Sequence, residues 1–248
     1  MHPSIAAGPV IAHRGASAAW PENTLQALRA THAAGCGWVE IDAQMTADGA
    51  AVLMHDHTLE RTTDGRGMVG RHSLAQIGAL RSRDPVGGGL VDAAPPRLEE
   101  ALALCRELGL GMVLEIKATW GIDAECTRVI AAAIPRQPGH PLLVTSFSVT
   151  ALRHMRRLRP DLPLGLACLC PPRDPAALLA EAEVEAVHLN DEYATPDRIE
   201  PLRAAGLGVA VATVNALPRL RELLAMGAHG VMTDHPEFAR AAVTEAAP

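Results

Sequence analysis

Along most of this 248-residue chain, short apolar segments alternate with amphipathic segments of helical periodicity. The short segments are apolar at successive positions, which is typical of strands buried on both faces of a parallel sheet. The predicted strands are Pro9–His13, Trp38–Ala43, Met112–Ile116, Leu142–Ser146, Leu164–Ala167, Ala186–Leu189, Gly208–Thr213 and Gly230–Thr233. The predicted helices alternate with them and are Thr24–Ala34, Leu98–Leu108, Ile122–Ala133, Val149–Leu158, Pro175–Glu183, Asp197–Ala205, Leu217–Met226 and Pro236–Val243.

This alternation predicts an α/β fold in which eight strand–helix units close into a (β/α)8 TIM barrel, since such barrels take about 250 residues. The interval between the second strand and the helix that begins at Leu98 is too long for this rhythm. We therefore expect one TIM-barrel domain over residues 1–248, with an inserted cap at residues 44–95 between the second barrel strand and the second helix. An extra strand at Ala51–Met54 lies inside this insertion. An open doubly wound sheet is the competing architecture, although no glycine-rich dinucleotide loop follows the first strand.

Charge and composition argue against several classes of partner. With 22 basic and 28 acidic side chains the formal charge is -6, so no basic surface for nucleic-acid phosphates is expected. Three Trp, two Phe and one Tyr are too few for base-stacking platforms. No apolar run approaches the roughly 20 residues of a membrane span, and the first residues lack the pattern of a secretion signal. We expect a cytoplasmic protein without stable membrane insertion, whose five scattered cysteines imply no disulfide framework.

Acidic side chains lie at the carboxyl ends of two predicted barrel strands. Glu40 and Asp42 are two residues apart, so both side chains point to the same face of their strand. Glu115 and Lys117 repeat this spacing on the next barrel strand. Three converging carboxylates without soft ligands favour a hard divalent cation such as Mg²⁺ or Ca²⁺. In the alternative interpretation, Glu40 or Asp42 forms a structural ion pair with Lys117 or Arg14 inside the barrel.

Two histidines at strand ends are candidates for proton transfer, because imidazole titrates near neutral pH. His13 ends the first strand, and His55, which forms a candidate pair with Asp56, ends the extra strand beside the insertion. His188 lies on a later strand and is a further candidate for the barrel interior. The remaining histidines considered are expected to be structural: His2, His32, His57, His72, His140, His154 and His235.

Basic and polar residues near the same strand ends are suited to an anionic substrate. Arg14 offers a planar set of donors that matches a phosphate, and Lys117 adds a second positive charge. Pro21–Thr24 predicts a helix start with Asn23 as the cap. The same segment follows the first strand, so Glu22 or Asn23 is also placed to support the groups at the barrel mouth.

These residues, in this order, resemble the glycerophosphodiester phosphodiesterase family. The resemblance runs from about residue 10 to 237, and the stretch Val187–Asn190 is similar to the cytoplasmic bacterial members. The matching motifs are His13-Arg14-Gly15, Pro21-Glu22-Asn23-Thr24, Glu40-x-Asp42, Asp48-Gly49, His55-Asp56, Leu59-Glu60-Arg61-Thr62-Thr63, Leu114-Glu115-Ile116-Lys117, Ser146-Phe147, Thr213-Val214-Asn215 and Thr233-Asp234.

The resemblance implies a barrel with a small inserted domain that hydrolyses glycerophosphodiesters, such as glycerophosphocholine or glycerophosphoethanolamine, to sn-glycerol 3-phosphate and an alcohol. It implies one divalent metal ion, Mg²⁺ or Ca²⁺ with Mn²⁺ as a further option, and a small-molecule substrate. Carried over to this sequence, the roles are metal binding for Glu40, Asp42 and Glu115, general base and general acid for His13 and His55, phosphate binding for Arg14 and Lys117, and support for Glu22 and Asn23.

One position departs from the family pattern, because Ala212 stands where an aromatic residue often precedes Thr213-Val214-Asn215. This leaves the preferred head group open, together with the metal, the assignment of acid and base, the choice of water or the glycerol 2-hydroxyl as nucleophile, and the oligomeric state. The alternatives are a lysophospholipase D or phospholipase C-like phosphodiesterase, a catalytically silent barrel that binds glycerophosphodiesters, and an aldolase in which Lys117 forms a Schiff base.

Overall fold

The computed structural model describes residues 9–118, 121–170 and 183–243. Each predicted barrel strand is present, with its ends within two residues of the predicted ones. The barrel strands are β1 (Val10–His13), β2 (Trp38–Met45), β6 (Gly111–Ile116), β7 (Leu142–Ser146), β8 (Leu164–Cys168), β9 (Ala186–Asn190), β10 (Gly208–Ala212) and β11 (Gly230–Thr233).

These strands pair in parallel in the order β1-β11-β10-β9-β8-β7-β6-β2, and β1 also pairs with β2. The pairing of β1 with both β11 and β2 closes the sheet, with Ala12 opposite Thr233 on one side and Val39 on the other. The (β/α)8 TIM barrel is therefore confirmed, and an open doubly wound sheet is wrong. The extra strand β3 (Ala51–Leu53) pairs antiparallel with the end of β2.

Helices cover the outside of the barrel, and one further helix, Leu74–Gly78, lies in the inserted segment. They are Leu25–Ala33, Leu74–Gly78, Leu98–Leu108, Asp123–Ala133, Val149–Leu158, Pro196–Ala204, Leu217–Ala225 and Phe238–Val243. Thr24 caps the first, because its side chain accepts a hydrogen bond from the backbone N–H of Ala27. The predicted helix Pro175–Glu183 lies, except for Glu183, outside the described residues. Within the part of the chain that the structure describes, no helix has the length and apolarity of a membrane span.

An apolar layer inside the barrel places the functional residues at one end. It consists of Ile11, Trp38, Val113, Leu143, Ala186, Ala210 and Met232. Gly111 allows Trp38 to fill this layer, since a Cβ atom at Gly111 would lie 2.5 Å from the indole. Because side chains of a strand return to the same face every second residue, the next inward positions lie nearer the carboxyl end. Those positions are His13, Glu40, Glu115, Thr145, His188 and Ala212, and all six line the cavity at the barrel mouth.

The chain between β2 and the helix at Leu98 forms a small unit beside this mouth. After β3 it contains a 3₁₀ turn (Val69–Arg71), the helix Leu74–Gly78 and a two-stranded hairpin of β4 (Ser82–Arg83) and β5 (Leu90–Val91). It has its own apolar cluster, made of Val52, Met54, Leu59, Val69 and Ile77. The insertion expected from the sequence therefore lies next to the candidate site.

Candidate active site

The turn after β1 brings the Arg14 side chain to the acidic residues of β2. Arg14 and Gly15 both have positive φ, at 55° and 85°. A Cβ atom at position 15 would lie 2.6 Å from the Cβ of Ala27, so this turn requires glycine. The turn lets the backbone N–H of Arg14 donate to Oε2 of Glu40 at 3.0 Å, and places Nε of Arg14 3.4 Å from Oδ2 of Asp42.

Glu40, Asp42 and Glu115 form a compact set of carboxylates, with one oxygen from each lying within 4.8 Å of the others. The set forms because Glu40 and Asp42 share a face of β2, while Glu115 lies opposite Asp42 on the neighbouring strand β6. Lys117 is placed against two of them, with Nζ 3.0 Å from Oδ1 of Asp42 and 2.6 Å from Oε1 of Glu115. The ion pairs of the alternative interpretation are thus present within the same cluster that offers three carboxylates.

Burial makes the charge of this cluster costly. Burial raises the pKa of Glu40 well above its usual range, and the charges of Asp42 and Glu115 raise it further. Burial, with the charge of Asp42, raises the pKa of Glu115 to about 7. Burial also opposes ionisation of Asp42, but Lys117 and Arg14 outweigh it and lower that pKa.

The cluster has three carboxylates and two cations, Arg14 and Lys117, so ionisation of all three carboxylates leaves one negative charge unbalanced within it. A divalent cation would supply the missing positive charge, and the donors are carboxylate oxygens at close spacing, which suits Mg²⁺ or Ca²⁺. Glu40, Asp42 and Glu115 therefore fit the metal that the sequence predicts.

His13 is oriented by Asp234, which follows the last barrel strand. Nδ1 of His13 lies 2.7 Å from Oδ1 of Asp234. Ser17 Oγ donates to the same carboxylate at 2.9 Å, and Asn215 Nδ2 donates to it at 2.6 Å. Burial would raise the pKa of Asp234, but hydrogen bonds from His13, Asn215 and Ser17 outweigh it and hold the pKa at about 2. The carboxylate is therefore an acceptor, which keeps a proton on Nδ1 of His13 and leaves Nε2 for proton transfer.

His55 has a carboxylate partner as well, supplied by the next residue. Nδ1 of His55 lies 2.6 Å from Oδ1 of Asp56. Arg61 donates to both oxygens of Asp56, from Nε at 2.6 Å and from Nη2 at 2.9 Å, and these bonds keep the pKa of Asp56 well below its usual range. Gln44 fixes the backbone of this turn by donating from Nε2 to the carbonyls of residues 54, 55 and 56. Burial lowers the pKa of His55, so its imidazole favours the neutral form at pH 7.

Asn23 and Glu22 both contact residues of the site, and the expected helix cap at Asn23 is wrong. Asn23 is not the cap of the first helix, because its side chain turns to Asp42. Nδ2 of Asn23 donates to Oδ2 of Asp42 at 2.8 Å, and the backbone N–H of Asp42 donates to Oδ1 of Asn23 at 3.0 Å. A positive φ of 56° at Asn23 makes this possible, and Thr24 takes over the capping role. Glu22 accepts from Arg14 at 2.9 Å and also accepts from Arg61.

The cavity that these groups share has a volume of about 170 Å³. His13, Arg14, His55 and Lys117 line its polar side. Its other side is mostly apolar and includes Phe147, Ala167, Cys168, Leu169, Leu189 and Ala212. The small side chain of Ala212 therefore forms part of the wall where the family often has an aromatic residue.

His188 lies on β9, four strands around the barrel from β2, and borders the cavity as the sequence suggested. Its Nε2 is buried and has no hydrogen-bond partner among the described residues. Burial lowers the pKa of His188 to about 4, so the imidazole is neutral at pH 7. His188 thus differs from His13 and His55, whose Nδ1 atoms each contact a carboxylate.

Several of the histidines expected to be structural make local contacts. Nδ1 of His72 contacts the carbonyl of Met68, and Nδ1 of His140 contacts that of Pro138. His57 lies beside the catalytic candidates, with Nδ1 3.2 Å from Oε1 of Gln44. His2 lies outside the described residues.

The sequence assigned no role to Asp234 or Arg61, and it grouped Asp56 with His55 as one candidate pair for proton transfer. In the structure all three residues belong to the contacts that hold the imidazoles. Asp234 is separated from His13 by 221 positions, and only the pairing of β1 with β11 brings them together. A usable signal existed, because first and last strands are neighbours in a closed barrel and Asp234 directly follows the last one. Asp56 and Arg61 were visible as motif residues, but the sequence does not show which carboxylate the arginine contacts.

Comparison with known proteins places this chain in a family. The sequence profile of the glycerophosphoryl diester phosphodiesterase family matches residues 13–238. A glycerophosphodiester phosphodiesterase from Caldanaerobacter subterraneus subsp. tengcongensis is 28% identical over 229 residues, which cover 92% of this chain and 94% of that protein. A second, from Bacillus subtilis, is 29% identical over 249 residues, covering 92% of this chain and 84% of that protein.

Solved structures give the same result. An Oleispira antarctica phosphodiesterase, whose structure is a complex with the product sn-glycerol-3-phosphate, has a TM-score of 0.90 at 30% identity and covers 95% of this chain and 96% of its own. The glycerophosphodiester phosphodiesterase of Agrobacterium tumefaciens has a TM-score of 0.80 at 26% identity. The match covers 94% of this chain and 99% of that protein. Since the family profile spans the barrel from the first catalytic candidate to the last helix, the chain is an enzyme that belongs to the glycerophosphoryl diester phosphodiesterase family.

Proposed function

We propose that this enzyme hydrolyses glycerophosphodiesters to sn-glycerol 3-phosphate and an alcohol, with His13 and His55 as its proton-transfer groups. The observation that carries the proposal is the convergence on one cavity of two imidazoles, each oriented by a carboxylate, with a buried carboxylate set and two cations. The product in the similar Oleispira antarctica structure, sn-glycerol-3-phosphate, supports the same substrate class.

Glu40, Asp42 and Glu115 would hold one divalent cation, Mg²⁺ or Ca²⁺, with Mn²⁺ as a further option. When bound, such a cation acts as a Lewis acid that polarises a phosphoryl oxygen. Asn23 supports this set because its side chain donates to the Asp42 carboxylate and accepts from the Asp42 backbone N–H. Lys117 neutralises part of the negative charge of Asp42 and Glu115 when the substrate is absent.

The other side chains of the cavity perform the remaining tasks of the reaction. Arg14 and Lys117 face the cavity as fixed positive charges, which stabilise the charge that develops on the non-bridging oxygens. One imidazole accepts the proton of the nucleophile through Nε2, and the other donates a proton to the leaving alcohol. The inserted segment 44–95 acts as a cap, because it contributes His55, held by Asp56, to a cavity otherwise built from the barrel.

A substrate panel tests this proposal. The purified chain is incubated with glycerophosphocholine, glycerophosphoethanolamine and lysophosphatidylcholine, first with EDTA and then with Mg²⁺, Ca²⁺ or Mn²⁺ restored. We expect sn-glycerol 3-phosphate from the two water-soluble diesters, loss of its formation with EDTA, and recovery with a divalent metal. Binding of the diesters without product under every metal would contradict the proposal in favour of a silent barrel, and cleavage of the lysolipid alone would favour a lysophospholipase.

A further inference from the structure

Arg61 is the central member of a continuous chain of charged contacts that joins two cavity-lining residues, His55 and Arg14. The chain starts at His55, whose Nδ1 contacts Asp56, and passes to Arg61 through two hydrogen bonds. Arg61 then donates to both oxygens of Glu22, from Nη1 at 2.6 Å and from Nη2 at 2.9 Å. Glu22 accepts from Nη1 of Arg14 at 2.9 Å. The contacts thus lead from an imidazole of the inserted segment to a phosphate-binding arginine of the barrel.

We propose that Arg61 is a positioning residue that fixes the His55 imidazole, through Asp56, relative to the phosphate-binding side of the cavity. The inference rests on the proposed function, and it assigns a task to a side chain that does not line the cavity. Among the described residues, the Arg61 side chain bonds a carboxylate of the insertion, Asp56, and also a carboxylate of the barrel, Glu22.

The geometry requires an arginine at this position. Nε, Nη1 and Nη2 of Arg61 are all used, and the planar guanidinium directs them to two carboxylates at once. A lysine carries the same charge on one rotatable nitrogen, so it cannot reproduce two bidentate contacts. The conservative substitution is therefore expected to lose most of the positioning.

The contacts of Arg61 are better explained by position than by stability. Its side chain is 47% exposed, and ion pairs of such exposure contribute little to the free energy of unfolding. The backbone of the turn has a separate anchor, because Gln44 bonds the carbonyls of residues 54, 55 and 56. Loss of Arg61 should leave the turn folded while it frees the Asp56 carboxylate, and with it the imidazole, to rotate.

The variants R61M and R61K test this inference, with R81M as the matched control. Arg81 lies in the same inserted segment, is 56% exposed and pairs with Asp64, also in that segment. We expect kcat for glycerophosphocholine to fall about 10- to 100-fold in R61M, because misplacement of a catalytic group by about 1 Å has effects of this size. R61K should recover only a small part of the rate, and R81M should stay within about twofold of the wild type.

A double-mutant cycle separates positioning from a general structural effect. If Arg61 acts through His55, the two residues act as a unit. Adding R61M to H55A should then lower kcat by less than about a further twofold. An R61M loss of the same size in both backgrounds, or R61M kinetics equal to those of R81M, would overturn the inference.

An observation independent of turnover keeps this inference distinct from the proposed function. In imidazole ¹⁵N–¹H spectra of the intact protein, with His13 and His55 assigned from their alanine variants, R61M should shift the His55 signals and leave those of His13 in place. Unchanged His55 signals would refute positioning by Arg61. A wild type that cleaves no diester but shows the selective shift would refute the proposed function and support the positioning.

Discussion

The two imidazole–carboxylate pairs of the cavity are built in opposite ways. His13 and Asp234 lie 221 positions apart and meet because β1 pairs with β11 when the barrel closes. His55 and Asp56 are adjacent in the chain and lie in the inserted segment, outside the barrel wall. Both imidazoles are partly exposed, 17% for His13 and 32% for His55. The two pairs therefore differ more in what holds their carboxylates than in burial.

The partners of the two carboxylates differ accordingly. Asp234 is held by neutral donors, Ser17 and Asn215, which belong to the barrel loops. Asp56 is held by a cation, Arg61, whose other side is fixed on Glu22. Strand register in the closed barrel positions the His13 imidazole. The His55 imidazole is carried on an insertion, where Arg61 provides an additional contact to the barrel.

The largest expected effect comes from removing either imidazole. H13A and H55A should each lower kcat/KM for glycerophosphocholine about 10²- to 10⁴-fold, which is the usual contribution of a positioned acid or base. Comparing an alkyl leaving group with p-nitrophenol sharpens the comparison, because a good leaving group needs no general acid. The variant that lacks the acid should recover much of its rate on the p-nitrophenyl diester, and the variant that lacks the base should not.

The result also has a clear contrary outcome. Near-normal turnover of glycerophosphocholine by both alanine variants would mean that neither imidazole transfers a proton in the reaction. The His72→Ala variant is the matched control, because His72 contacts the carbonyl of Met68 in the inserted segment and does not line the cavity. Its kcat/KM should remain within about twofold of the wild type.

A smaller effect should separate the two carboxylates. In D234N an amide would meet the donors Ser17 and Asn215, so we expect both an activity loss of about 10²-fold and a fall in the free energy of unfolding of about 1–3 kcal/mol. In D56N, Arg61 keeps its contact with Glu22, so the activity loss should be nearer 10-fold and the stability change below about 1 kcal/mol. Thermal unfolding and steady-state kinetics on the two variants measure both quantities.

Equal effects of D234N and D56N on the free energy of unfolding would contradict the difference proposed for the two carboxylates. They would mean that the carboxylate of Asp234 contributes no more to the free energy of unfolding than that of Asp56. The distinction depends on Asp234, whose low pKa of about 2 reflects donors that remain in place when the substitution is made.

Much of the fold follows from the sequence for a physical reason. Strands buried on both faces must be apolar at successive positions, so the segments Leu142–Ser146 and Gly230–Thr233 were recognisable with the same bounds as in the structure. The insertion was visible because it breaks the strand–helix rhythm. Glu40 and Asp42 could be placed on one face of a strand because the side-chain period of a strand is two.

The contacts between distant segments could not be predicted in this way. Asn23 fits the sequence pattern of a helix cap, yet its positive φ and its two bonds to Asp42 depend on the fold of the turn after β1. Arg61 lies in a segment without regular secondary structure, so no periodicity in the sequence shows where its side chain points. Sequence patterns report which face a residue occupies, whereas these roles depend on which segments meet.

The smallest expected effect extends the comparison to His188, an imidazole with no carboxylate partner among its described contacts. Burial lowers its pKa from 6.5 to about 4, so between these values the unfolded chain binds a proton that the folded chain does not. The contribution of His188 to stability is therefore complete above about pH 6.5 and is lost as the pH falls towards 4, by about 1 kcal/mol per pH unit.

The substitution His188→Gln removes this titration. The free energy of unfolding of the variant should therefore fall less steeply with decreasing pH than that of the wild type. Denaturant unfolding between pH 6 and 4.5, with EDTA in both samples, measures the two slopes. Equal slopes would show that folding does not lower the pKa of His188, which would contradict its burial as an unpartnered imidazole and remove its contrast with His13 and His55.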